Sequence, residues 1–156
     1  DKPNPCKEDV FWFHLTLTPE SHPWAYKHKD ASKRIMAIEI FATLVMLHYM
    51  LEQSNHDPKL QVFIPYCTDN EGSAYCLLSE QSKKWPASAI VMELLVQALS
   101  KGVQLSPTHV RREYNQWADD LVNSKFSQFC QQKRIDMQTQ PPKWLVLDTV
   151  LDIGCP

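Results

Sequence analysis

Apolar and polar residues fall into blocks along the chain, each about the length of one secondary-structure element. Val10 to Thr18 (VFWFHLTLT) is dense in aromatic and β-branched residues, which predicts a strand ended by Pro19. The polar stretch ESHPWAYKHKD follows as a loop, and Ser32 is the predicted N-cap of a long helix from Lys33 to about Gln53. Within it Ile35, Ile38, Ala42, Val45 and Tyr49 recur at three- and four-residue steps, the spacing of a core-facing stripe. Apolar residues off that stripe require much of the helix to be covered.

After the turn SNHDPK, Leu60 to Cys67 is a continuous apolar run of strand length and predicts a short buried strand. Residues 71–79 suit a short helix, and QSKKWP reads as a basic loop. Pro86 then begins a helix to about Lys101, closed by Gly102. Val103 to Val110 predicts a further strand, where Pro107 argues for an edge or a bulge. A short helix from Asn115 to about Asn123, a polar linker over 124–143 and an apolar segment over 144–151, helix or strand, complete the chain. Alternation of this kind predicts a mixed α/β layered domain. A crossover from 10–18 to 60–67 is right-handed if those strands are parallel, and Asp69 then lies at a strand's carboxyl end, where such sheets build sites.

Composition adds limits. The 156 residues suffice for one domain with a real core, and 44% hydrophobic with 22% charged is ordinary globular usage. Sixteen basic against eighteen acidic residues give a formal charge of −2, so nucleic-acid binding would need local basic patches. Five scattered cysteines without a CxxC pair read as free thiols in a reducing, intracellular compartment, and the six dispersed histidines argue against zinc. The apolar run Ile35 to Leu51 holds Glu39 and His48, suiting a core helix better than a membrane span, and DKPNPCKED lacks the features of a signal peptide.

Three carboxylates stand in apolar surroundings: Glu39 in the long helix, Asp69 at the end of VFIPYCTDN, and Asp119 in NQWADDL. A charge so placed is costly unless paired or metal-bound, and acids gathered from separate elements ask for divalent cations. Each has a simpler reading. Glu39 pairs with Lys33 or Arg34, Asp69 caps the short helix after it, and Asp119 is a solvated side chain. Asp120 competes with Asp119, since helical neighbours point about 100° apart.

The order of an acid within IMAIEIFATL, TDN after a strand, and HVRREYNQWADDL resembles an RNase H domain, more closely those attached to retroelement reverse transcriptases. The late pattern HV…N..AD.L is matched by His109, Val110, Asn115, Ala118, Asp119 and Leu121. The resemblance implies an RNase H-like mixed sheet flanked by helices over residues 10–123, after a disordered lead-in of 1–9 and before a C-terminal extension of 124–156. The family carries one more catalytic Asp, on its first strand. Asp9 lies only 39 − 9 = 30 positions before Glu39, too few for three strands and their turns, so the expected domain lacks its first strands at the N-terminus.

The resemblance further implies a metal-dependent endonuclease hydrolysing RNA in RNA–DNA hybrids, with a polymerase domain upstream and no membrane. Two Mg²⁺ (or Mn²⁺) ions would be held by Glu39 and Asp69, with Asp119 completing the second site. Asn70 would meet a sugar hydroxyl, and Asn115 belongs to the matched pattern. Arg111 and Arg112 with Tyr114 and Trp117, and likewise Lys83-Lys84-Trp85, mix basic and aromatic side chains as phosphate-tracking surfaces do. His109 would sit near the leaving group or serve the fold. The alternative is a degenerate RNase H-like module that binds nucleic acid without catalysis.

Overall fold

A computed structural model describes residues 6–27, 29–139 and 141–152. The chain is mixed α/β and groups into two units: 1–16 with 111–141, and 17–110 with 142–156. The larger unit holds helices α1 (Trp24–Lys27), α2 (Ala31–Gln53), α3 (Glu71–Leu78), α4 (Ala87–Ser100) and α6 (Leu147–Asp152), with strands β1 (Val62–Thr68) and β2 (Val103–His109). The smaller holds α5 (Gln116–Val122) and three short 3-10 turns.

β1 and β2 pair in parallel, Val62 opposite Val103 through to Thr68 opposite His109, with α3 and α4 forming the crossover. Val62 N–H donates to the Gly102 carbonyl and Val110 N–H to the Thr68 carbonyl, both at 2.9 Å. By the alternation of a parallel ladder, even-numbered residues of both strands face each other's backbone and odd-numbered ones face outward. Pro65 and Pro107 are both odd, so each sits on a free edge and removes no ladder bond. Pro107 therefore marks an edge, as its sequence position argues.

The expected strand at Val10–Thr18 is absent, and with it the expected crossover. Among the described residues it is extended chain with one bridge, Trp12 to Arg134. Its aromatic character serves packing instead: Trp12 is buried in the smaller unit while Phe11 beside it is 65% exposed. β1 is also less buried than its apolar run predicts, with Phe63 61% exposed on the outer face beside Pro65 and Cys67. The lead-in expected over 1–9 falls partly outside the described residues, and 6–9 form a turn closed by Asp9 N–H to the Cys6 carbonyl.

The core of the larger unit lies where α4 packs on α2, α6 and β2, around Ile40, Leu44, Ile90 and Leu147. In α2 the buried residues are Ala37, Ile40, Phe41, Thr43, Leu44, Val45, Leu47 and Leu51, whereas Ile35 and Ala42 of the expected stripe are exposed. The helix is apolar on nearly every side, so periodicity alone does not fix which face turns inward. By length and composition α2 could also cross a membrane. Its N-cap is Asp30 rather than Ser32: the Asp30 carboxylate accepts from Ser32 N–H at 3.0 Å and the Ser32 hydroxyl at 2.7 Å, and those bonds with nearby Lys33 hold its carboxyl far below the usual range.

Gly102 follows α4 at φ +64° and donates its N–H to the Leu99 carbonyl. A Cβ there would lie 2.3 Å from the Pro58 carbonyl oxygen, a backbone atom that cannot swing aside. Gly102→Ala is expected to cost about 1–3 kcal/mol from the left-handed backbone and the clash. Urea unfolding reads the change, and a loss below about 0.5 kcal/mol would show that the turn repacks freely.

In the smaller unit Trp12 stacks on Phe126 at 5.2 Å between ring centres and lies 5.7 Å from Phe129. The Arg134 guanidinium sits over both Trp12 and Phe126, and the Trp12 indole N–H donates to the Cys130 carbonyl at 2.8 Å. Residues 124–139 are thus packed structure rather than the expected polar linker, with Phe129 and Ile135 each 4% exposed. Of the apolar segment at 144–151, the part from Leu147 on forms the helix α6.

Candidate carboxylate site at the end of the parallel sheet

Glu39 and Asp69 come together at the carboxyl end of β1. Asp69 follows the last residue of the strand, and Glu39 projects from the middle of α2. The two are close enough for the charge on Asp69 to raise the Glu39 carboxyl. Burial raises it first and Asp69 adds to that, while hydrogen bonds from Ser73, Asn70 and Thr68 pull it partly back; the net direction is upward. The Ser73 hydroxyl donates to Glu39 Oε2 at 3.3 Å and the Thr68 hydroxyl at 3.5 Å.

Local sequence explains the arrangement. Asn70 caps α3, its side-chain oxygen accepting from Ser73 N–H at 2.9 Å. That task leaves Asp69, one residue earlier, out of the cap it was alternatively expected to make. Gly72 lets the first turn of α3 approach α2, since a Cβ there would meet the Met36 sulfur at 3.2 Å. Ser73 is consequently fully buried and turned toward Glu39.

Tyr66, two residues before Thr68 on the inner face of β1, carried no signal in sequence beyond its apolar run. Its phenol is pushed up by burial, with the charges of Glu39 and Asp69 adding to this and hydrogen bonds to Thr43 and Thr68 opposing it. His109 pairs with Thr68 in the strand register and is exposed at the same end of the sheet.

The remaining expected site residues belong to the smaller unit. Asp119 accepts from Arg112 Nη2 at 2.9 Å and from the Asn123 amide at 3.2 Å. Asp120 is the buried member of that pair, 7% exposed, and meets Lys7 at 2.7 Å, the Gln116 amide at 2.9 Å and Lys125 at 3.5 Å. Those bonds hold its carboxyl below the usual range. Arg111 and Arg112 are exposed, with Glu113 3.8 Å from Arg111. Asn115 lies at the start of α5. Among the described residues no group of three or more His, Cys, Asp or Glu is gathered as a metal ion would need.

Two carboxylates, one raised by burial and further by the other's charge, are nevertheless a donor set that a divalent cation fits: the cation offsets the repulsion, and oxygen is the ligand Mg²⁺ and Mn²⁺ prefer. Two protein oxygens are enough where water fills the other positions. No family model matches the chain, and neither do any curated protein or solved structure.

Proposed function

We propose that the chain is an RNase H-like domain of a retroelement reverse transcriptase, hydrolysing RNA in RNA–DNA hybrids with Glu39 and Asp69 as carboxylate ligands of Mg²⁺ or Mn²⁺. The observation that carries the reading is the meeting of Glu39 and Asp69 at the end of a parallel strand, with the Glu39 carboxyl raised by burial and its neighbour. Such a cation, when bound, stabilises charge on a phosphodiester and acidifies water. The residues of this chain do the rest. Thr68 and Ser73 orient Glu39 through their hydroxyls, and Asn70 fixes the turn that presents Asp69. In the smaller unit Arg111, Arg112 and Asn115 are proposed to contact the nucleic-acid backbone.

A second reading, binding of nucleic acid without cleavage, is favoured by the hold of Arg112 on Asp119. Cleavage of a labelled hybrid in Mn²⁺ separates the two.

The metal test is thermal unfolding with and without Mg²⁺. At ten times Kd the cation is expected to add about 1.4 kcal/mol, and Asp69→Asn to remove that increment. Without cation the raised Glu39 carboxyl makes the folded state hold more protons than the unfolded state. Stability therefore falls as pH rises from the ordinary glutamate value through the raised one. Cation affinity follows the opposite course and weakens as pH drops through the raised value. No stabilisation by millimolar Mg²⁺ or Mn²⁺ at neutral pH would sink the metal reading.

A further inference from the structure

A second recess lies wholly within the larger unit and involves none of the carboxylate-site residues. It is a cleft of about 210 Å³ walled by Trp24, Phe41, Trp85 and Trp144, with His22 among the rings and Asp148 and Lys27 also lining it. We propose that it binds an alkylated ammonium, the head group shared by choline and a trimethylated lysine side chain. The inference does not depend on the nuclease reading.

The geometry of the rings argues for a cation. Trp24 meets Phe41 at 5.1 Å and 67°, and Phe41 meets Trp144 at 5.8 Å and 61°. His22 stands at 82° to Trp24. Trp24 and Phe41 are buried, 5% and 4% exposed, and His22, Trp85 and Trp144 are half-buried, so the last three offer most of the accessible aromatic surface. The faces of such rings are electronegative and attract a cation, Trp most strongly. The chain already shows this on one wall, where the Lys27 ammonium lies 5.8 Å from the Trp85 ring centre. Lys27 is exposed, so a guest can displace its ammonium from the ring.

Further features select the guest. Asp148, exposed in the first turn of α6, shows no hydrogen bond or ion pair among the described residues, and its carboxylate complements a positive guest. Burial lowers the His22 imidazole and so disfavours a like charge beside the guest. The volume exceeds the 150 Å³ or so that admits benzene, enough for three methyl groups around a nitrogen. Alkylation favours the guest further, because a methylated ammonium is less strongly hydrated than the –NH₃⁺ of lysine.

The test is a tryptophan-fluorescence titration of the whole chain at constant ionic strength. Its ligands are choline, Nε-trimethyl-lysine, unmodified lysine and the neutral choline isostere 3,3-dimethylbutan-1-ol. Saturable binding of an alkylated ammonium is expected, with lysine and the isostere weaker by about tenfold or more. Asp148→Asn should weaken binding and Lys27→Met strengthen it, both being surface changes that leave the fold intact. Tighter binding of trimethyl-lysine points to a modified peptide as the source, and tighter binding of choline to a free or lipid head group. The proposal is overturned if the isostere binds as well as choline, if no alkylated ammonium saturates the signal, or if neither variant moves the affinity.

Discussion

Replacing Glu93 with alanine is expected to destabilise the protein by about 3–5 kcal/mol, the largest single loss in the larger unit. Glu93 is fully buried in α4. Its carboxylate accepts backbone N–H groups of Leu145, Val146 and Leu147 at 2.7, 2.7 and 2.8 Å, and the Gln97 amide at 2.7 Å. The carboxylate thus does for α6 what an N-cap side chain does, from a different helix. Gln97 continues the network to His48 Nδ1 at 3.0 Å. Alanine would orphan three backbone donors and leave a void, while Glu93→Gln keeps the volume and one acceptor and should cost about half as much. Urea unfolding followed by circular dichroism measures both, and a loss under about 1 kcal/mol for alanine would refute the latch.

The same residue sets a pH dependence. Burial pushes the Glu93 carboxyl up, but its four hydrogen bonds outweigh burial and hold it below the ordinary glutamate value. The unfolded chain then binds more protons than the folded one in the window between those values. The stabilisation is therefore complete above the ordinary value and is lost as pH falls through the depressed one. Acid sensitivity should shrink in Glu93→Gln.

Trp12→Ala is the second large effect, expected at about 3–5 kcal/mol in the smaller unit. The side chain is 1% exposed and joins residues before 16 to those after 125 through Phe126, Phe129, Arg134 and the Cys130 carbonyl. Trp12→Phe keeps most of the stacking and loses the indole N–H, for about 1–2 kcal/mol. Denaturant titration followed by near-ultraviolet circular dichroism reads both. Equal stability of Trp12→Ala and the parent chain would mean that the aromatic cluster does not hold the unit.

Half of the candidate site could be read along the chain. Glu39 and Asp69 announce themselves because a carboxylate in an apolar run needs a reason. Tyr66, Thr68 and Ser73 do not, since a hydroxyl beside apolar residues is compatible with any exposed turn. Glu93 stands in the equally apolar run ASAIVMELLVQALS, but its backbone partners lie about fifty positions away and leave no pattern in residue type that would mark it.

Sequence alone determined the elements whose signal is local. The helices α2, α3 and α4, the two strands, the turn at Gly102 and the edge position of Pro107 follow from run length, spacing and the backbone chemistry of glycine and proline. Tertiary structure decided which side of α2 is buried, which acid of Asp119 and Asp120 is buried, and that VFWFHLTLT packs through Trp12 instead of joining the sheet. It also decided that Asn70, and not Asp69, caps α3. The physical reason is common to all four: each is a choice among local states of similar energy, made by contacts with residues distant in sequence.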